Sequence, residues 1–182
     1  MGWEIYTSKI IFVSGSGELR DLFIINEDGS DKKQLTNTDF SVEWPSWSPS
    51  EPLLIFESGK DGNPEIYTIN ADTGEDLTRL TNNEKLDEWP CFSQDGSMIM
   101  WSHGVEGDKD LWVMNADGSN KRQLTQNIAV GDAFSSFLPD GSRVVFTSAS
   151  EGQHPSICVI YLDGSGLKKI AEGSSANWSP NF

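Results

Sequence analysis

An all-β fold, a β-propeller of four-stranded antiparallel blades, is what this sequence predicts, and three observations carry that expectation. Short phrases recur with a period near 45 residues, each phrase is rich in aromatic and β-branched residues, and Gly, Pro, Asn or Asp separates one phrase from the next. The aromatic of Ile11-Phe12-Val13-Ser14 returns as Phe56, Trp101 and Phe146, at intervals of 44, 45 and 45 residues. A fixed period of roughly 40 to 50 residues means a propeller or a solenoid.

Each unit holds four phrases in constant order. The first is Trp44-Pro-Ser-Trp-Ser-Pro49, repeated as Trp89-Pro-Cys-Phe-Ser-Gln94, Phe134-Ser-Ser-Phe-Leu-Pro139 and the terminal Asn177-Trp-Ser-Pro180. Pro45 and Pro90 lack the N–H that a central strand must donate, so this strand is an edge, the innermost of its blade. The second phrase, as in Leu53-Leu-Ile-Phe56 and Met98-Ile-Met-Trp101, is apolar on both faces and must be covered on both, as radial packing of blades provides. A third phrase runs Leu22 to Gly29, Ile66 to Gly74, Leu111 to Gly118 and Ile157 to Gly164; its terminal Asp-Gly or Asp-Thr-Gly step supplies the positive φ of a hairpin turn. The outermost phrase is Gln34-Leu-Thr36, Arg79-Leu-Thr81, Gln123-Leu-Thr125 and Lys169-Ile-Ala171. No helix of consequence is expected. The chain reads as a single domain, 1–182, with blades at 8–37, 42–82, 87–126 and 132–172. Residues 174–180 are expected to complete the first blade and close a four-bladed ring, leaving no sheet edge open. The alternatives are a dimer that forms one larger ring, or a piece of a longer chain.

The phrases Trp47-Ser-Pro, Leu111-Trp-Val-Met-Asn-Ala-Asp-Gly-Ser-Asn-Lys-Arg-Gln-Leu-Thr125 and Pro139-Asp-Gly-Ser-Arg-Val-Val-Phe-Thr-Ser148 resemble the repeat of TolB-like β-propellers, also called WD-like propeller repeats. The resemblance runs over residues 8 to 180. It implies a bacterial cell-envelope or secreted setting, and rings more commonly of six blades than of four. Such propellers also resemble the gate domains attached to prolyl-oligopeptidase catalytic domains, and no catalytic domain is expected within these 182 residues. The fourth repeat departs from the pattern, with Cys158 where Phe23, Tyr67 and Trp112 stand, and Tyr161 in place of the Asn.

Thirteen basic residues against 28 acidic ones give a formal net charge of -15, a surface that repels nucleic acid and anionic lipid. No run of 18 apolar residues occurs in the chain, so membrane insertion is not expected, and no basic-then-apolar leader stands in these 182 residues, which leaves the compartment open. Cys91 and Cys158 stand far apart in no metal-type spacing and read as core residues.

Candidate chemistry gathers at the inner strands. Glu43 and Glu88 hold matching positions, with Asp132 one residue earlier in the third copy. Carboxylates converging on a channel mouth would suit Ca²⁺ or a cationic ligand, although they equally describe a solvated acidic rim. Trp44 and Trp89 beside them would pack between blades or offer stacking platforms, whereas Trp47, Trp101 and Trp112 read as core. His103 and His154 flank the loop between second and third strands, as a metal pair, an acid and base, or ordinary surface histidines. Asp28, Asp72, Asp117 and Asp163 are explained by turn chemistry. Hydrolase, NTPase and zincin motifs are absent from the sequence. The expected function is therefore a non-enzymatic module, monomer or homodimer, binding a protein or peptide partner through a mouth formed by Glu43, Trp44, Glu88, Trp89, Asp132, His103 and His154, with no cofactor. The alternatives are a metal-assisted carbohydrate-active or lyase-type propeller, or a half-propeller whose role is assembly.

Overall fold

A computed structural model describes residues 8–16, 19–126, 131–149, 152 and 154–175. Its strands, in chain order, are β1 (Lys9–Ser16), β2 (Leu19–Asn26), β3 (Lys33–Gln34), β4 (Val42–Trp47), β5 (Leu53–Ser58), β6 (Glu65–Asn70), β7 (Thr78–Arg79), β8 (Leu86–Phe92), β9 (Met98–Val105), β10 (Asp108–Asn115), β11 (Arg122–Gln123), β12 (Gly131–Phe137), β13 (Arg143–Ala149), β14 (Ser156–Tyr161) and β15 (Lys168–Glu172). They form four antiparallel sheets whose strands neighbour one another in sequence order: β1-β2-β3, β4-β5-β6-β7, β8-β9-β10-β11 and β12-β13-β14-β15. The proline-bearing strands β4 and β8 are edges, as their missing N–H groups require. The first sheet has three strands among the described residues. The Asn177–Pro180 phrase, on which the expected closing strand depends, lies outside them.

The sheets stack face to face, and the repeat explains how. Each sheet carries one equivalent cross-strand pair, Phe12 with Phe23, Phe56 with Tyr67, Trp101 with Trp112, and Phe146 with Cys158, and the last three face the preceding sheet. The first three are ring pairs with centroids 5.5, 6.0 and 6.1 Å apart. Such pairs are favourable beyond their buried area. Phe56 and Tyr67 pack on Leu22 and Ile24 of the first sheet, Trp101 joins Ile55 and Ile66 of the second, and Phe146 and Cys158 pack on Leu111 and Val113 of the third. Trp101 is fully buried, while Trp47 and Trp112 are half-buried against these clusters.

The outer strands β3, β7 and β11 are two residues long and are held by side chains. The Thr of each Leu-Thr step accepts the backbone N–H of the third strand: Leu22 N to Thr36 Oγ1 at 2.9 Å, Ile66 N to Thr81 Oγ1 at 2.9 Å and Leu111 N to Thr125 Oγ1 at 2.8 Å. Ala171 replaces that Thr in the fourth sheet, where every residue of β15 is exposed. In the turns, Asp28, Asp117 and Asp163 accept the N–H two residues on, at 2.9, 2.9 and 2.8 Å. At the equivalent turn Asn70 takes that role, accepting from Asp72 N.

Candidate functional site

The inner strands share a defect. Pairing of β4 with β5 skips from Glu43 to Ser46, that of β8 with β9 from Glu88 to Cys91, and that of β12 with β13 from Ala133 to Ser136. One extra residue is accommodated each time, as a β-bulge. Trp44 and Trp89 occupy the bulges with φ of +50° and +53°. An aromatic residue held in the left-handed region costs on the order of 1 kcal/mol, and proline after it fits because a bulge asks for no ladder donor. The bulges turn both Trp-Pro steps into a cleft of about 270 Å³, lined by Trp44, Pro45, Trp89, Pro90, Cys91 and Ser135. Trp44 is 51% exposed there.

Carboxylates surround the same strands. Arg20 grips Glu43 with Nη1 2.8 Å from both carboxylate oxygens, and Lys109 Nζ lies 2.5 Å from Glu88 Oε2 and 4.8 Å above the Trp89 ring. Desolvation would lower the Lys109 ammonium, but Glu88 and Glu106 outweigh it and hold it above its usual value. Between them sits Glu57, buried, its Oε2 accepting the bulge N–H of Trp89 at 2.7 Å. Burial, with repulsion from Glu88 and Glu43, pushes its carboxyl up to about 8 against the pull of that hydrogen bond. Glu57 lines a second cavity, of about 350 Å³, with Arg20, Ser41, Glu43 and Pro64. At the matching position of the fourth sheet, Thr147 Oγ1 accepts the N–H of Ser175 at 2.9 Å, and Ser175 has φ +60°. Ser175 thus shares with Trp89 a positive φ and a backbone N–H held by the side chain at this position of the preceding repeat.

The structure brings Glu43, Trp44, Glu88 and Trp89 together along the inner edge. Asp132 pairs with Ser148 in the register, its side chain lying outside the described residues. His103 belongs elsewhere: Nδ1 is 2.7 Å from Asp87 Oδ1, and the ring lies 4.8 Å from that of Trp112, in a cavity between the second and third sheets. His154 is exposed ahead of β14 in the fourth sheet. Among the described residues no three His, Cys, Asp or Glu are arranged to hold a metal ion. The sequence reading missed Arg20, Glu57, Asp87 and Lys109. Glu57 had a signal, being the one carboxylate at a position held by Val13, Ser102 and Thr147 in the other copies.

Comparison with known proteins completes this description. Residues 78–182 match the TolB beta propeller domain family, and residues 3–104 match the dipeptidyl peptidase IV N-terminal region. The Tol-Pal system protein TolB of Ruegeria sp. (strain TM1040) is 32% identical over 69 residues, 36% of this chain and 16% of that protein. A protein assigned as TolB from Agrobacterium tumefaciens superposes with a TM-score of 0.73 at 23% identity, over 86% of this chain and 59% of that one. TolB from Acinetobacter baumannii gives 0.72 at 17% identity, over 90% and 41%. The chain therefore spans only part of the length of these relatives.

Proposed function

Since the chain belongs to the TolB β-propeller family, we propose that it acts without chemistry of its own, as a rigid module that receives an extended, cationic peptide segment of a partner protein along its inner edge. The observation that carries this reading is the pair of Trp-Pro bulges: two indoles in a strained backbone conformation line one cleft, with Glu43 and Glu88 alongside. Strained backbone that the surrounding structure over-determines clusters at binding sites. Indole faces attract cations, as the Lys109 ammonium over Trp89 shows, the exposed Trp44 face offers the same contact, and the net charge of -15 adds long-range attraction for a basic segment. Family resemblance supports a bacterial cell-envelope or secreted setting, and the described residues include no helix long and apolar enough to cross a membrane. The Ser175 geometry supports closure of the ring by the C-terminal strand.

Titration of tryptophan fluorescence with lysine-rich and glutamate-rich peptides tests the proposal. The lysine-rich series is expected to change the emission, and Trp44→Ala with Trp89→Ala to weaken its binding at least about tenfold, the loss of two stacking or cation-π contacts. Equal binding by native protein and double variant would sink the reading. Ca²⁺ or Mn²⁺ raising the melting temperature at low concentration would favour the metal-assisted alternative instead.

A further inference from the structure

The third sheet differs from the second at two positions that meet, and from the fourth, which pairs Asp132 with Ser148, at one of them. Where the second sheet pairs Val42 with Ser58, both buried, the third pairs Asp87 with His103. Asp87 is fully buried and meets three partners: Trp101 Nε1 at 2.7 Å, Asn83 Nδ2 at 2.6 Å and His103 Nδ1 at 2.7 Å. Burial alone would raise its carboxyl, but these bonds outweigh it and hold it below the usual carboxylate range. A buried carboxylate is a poor exchange for valine where packing is concerned. What it does here is orient the imidazole. An ionised Asp87 only accepts, so Nδ1 donates to it, and Nε2 lies on the edge turned away from Asp87, where it accepts whenever it carries no proton.

His103 lines a cavity of about 380 Å³, the size of a small-ligand site, together with Leu80, Thr81, Asn83, Trp101 and Trp112. Its accessible walls are largely the Trp112 indole and Leu80, with Trp101 buried behind them. The Thr81 hydroxyl and the Asn83 amide are already bonded within the protein, to Ile66 N, Asp87 and Lys85 N. The exposed Asn82 and Lys121 stand at its outer margin. The other sheets show that this is a local construction: the residues matching His103 are the serines Ser14, Ser58 and Ser148.

We propose that this cavity binds a phenol group, a flat apolar ring with one hydroxyl donor, the ring against Trp112 and Leu80 and the hydroxyl donating to His103 Nε2. A sugar would bring several hydroxyls to a lining that is mostly indole and leucine, and would leave most of them unpaired. The phenol is supplied either by a tyrosine side chain of a partner or by a small phenolic molecule. This site is separate from the Trp-Pro edge, and its test does not depend on that proposal.

The probes are N-acetyl-tyrosinamide, N-acetyl-phenylalaninamide and p-cresol, added to the full chain while the indole N–H signals of Trp101 and Trp112 are followed by ¹⁵N NMR. Tyrosinamide is expected to shift both signals with a dissociation constant on the order of 1 mM. Phenylalaninamide should bind about tenfold more weakly, having no donor for the imidazole. p-Cresol equal to tyrosinamide identifies the small phenol as sufficient, whereas tighter binding of tyrosinamide points to a peptide-borne tyrosine. His103→Phe should erase the preference for the hydroxyl. Leu80→Trp, which fills the cavity and leaves Asp87 and His103 in place, should abolish binding of both amides. Equal binding of the two amides by the native protein, or unchanged binding by Leu80→Trp, overturns the proposal.

Discussion

At Glu57 a carboxyl stands where the other repeats carry Val13, Ser102 and Thr147, and it answers two demands at once. It supplies the acceptor that the bulge N–H of Trp89 needs, and it is desolvated between Glu43 and Glu88. Unfolded, the group titrates near 4.5, and folded near 8. Between those values the unfolded chain releases its proton first, so stability falls as pH rises through that window, by at most about 1.4 kcal/mol per unit. Below it the group is neutral in both states and costs nothing. Glu57→Gln keeps an acceptor and removes the titration. Thermal melts at about pH 5 and about pH 8.5 should show the variant gaining on the native protein at the higher pH. Parallel profiles would mean that Glu57 is already ionised in the folded chain. A sequence comparison of the four copies exposes Glu57 as an odd residue, but it does not show that Trp89 N–H, from another sheet, is its partner.

The short outer strands show the repeat working at the level of the element. A two-residue strand makes few ladder bonds, so β3, β7 and β11 depend on the Thr that follows each of them. Thr81→Val preserves shape at a buried site and leaves the Ile66 N–H without its acceptor. Denaturant unfolding should report a loss of about 1 to 3 kcal/mol, the penalty for an unsatisfied buried donor. A loss below about 0.5 kcal/mol would mean that water or the backbone takes over the bond. The Leu-Thr phrase was legible in the sequence as a repeat. Its reason was not, because the donor lies 15 residues upstream on a neighbouring strand. The inner strands are similar: proline marked β4 and β8 as edges, whereas the left-handed Trp44 and Trp89 emerge only from the register.

Across the whole molecule, each sheet packs on the next in chain order, from β1 and β2 on β4 through to β8, β9 and β10 on β12. Among the described residues no strand of the first sheet touches one of the fourth. The Phe12–Phe23 pair is only half-buried, with the Lys32 ammonium 5.2 and 4.5 Å from the two ring centres, while its counterpart Phe56–Tyr67 is sealed by the first sheet. Light scattering after size exclusion tests how that face is covered. A mass near 20.1 kDa at every concentration is expected if the chain completes its own ring, and a stable dimer would replace that with a composite ring. The sequence by itself determined the family, the four repeats, the order of strands in each sheet and the edge position of β4 and β8, because these follow from local periodicity, turn chemistry and the missing proline donor. Only the tertiary structure decided which polar groups meet. Arg20 with Glu43, Lys109 with Glu88, Trp89 with Glu57 and Asp87 with His103 all join different strands, and their pairing depends on bulges that shift the register by one residue, a displacement that no repeat phrase records.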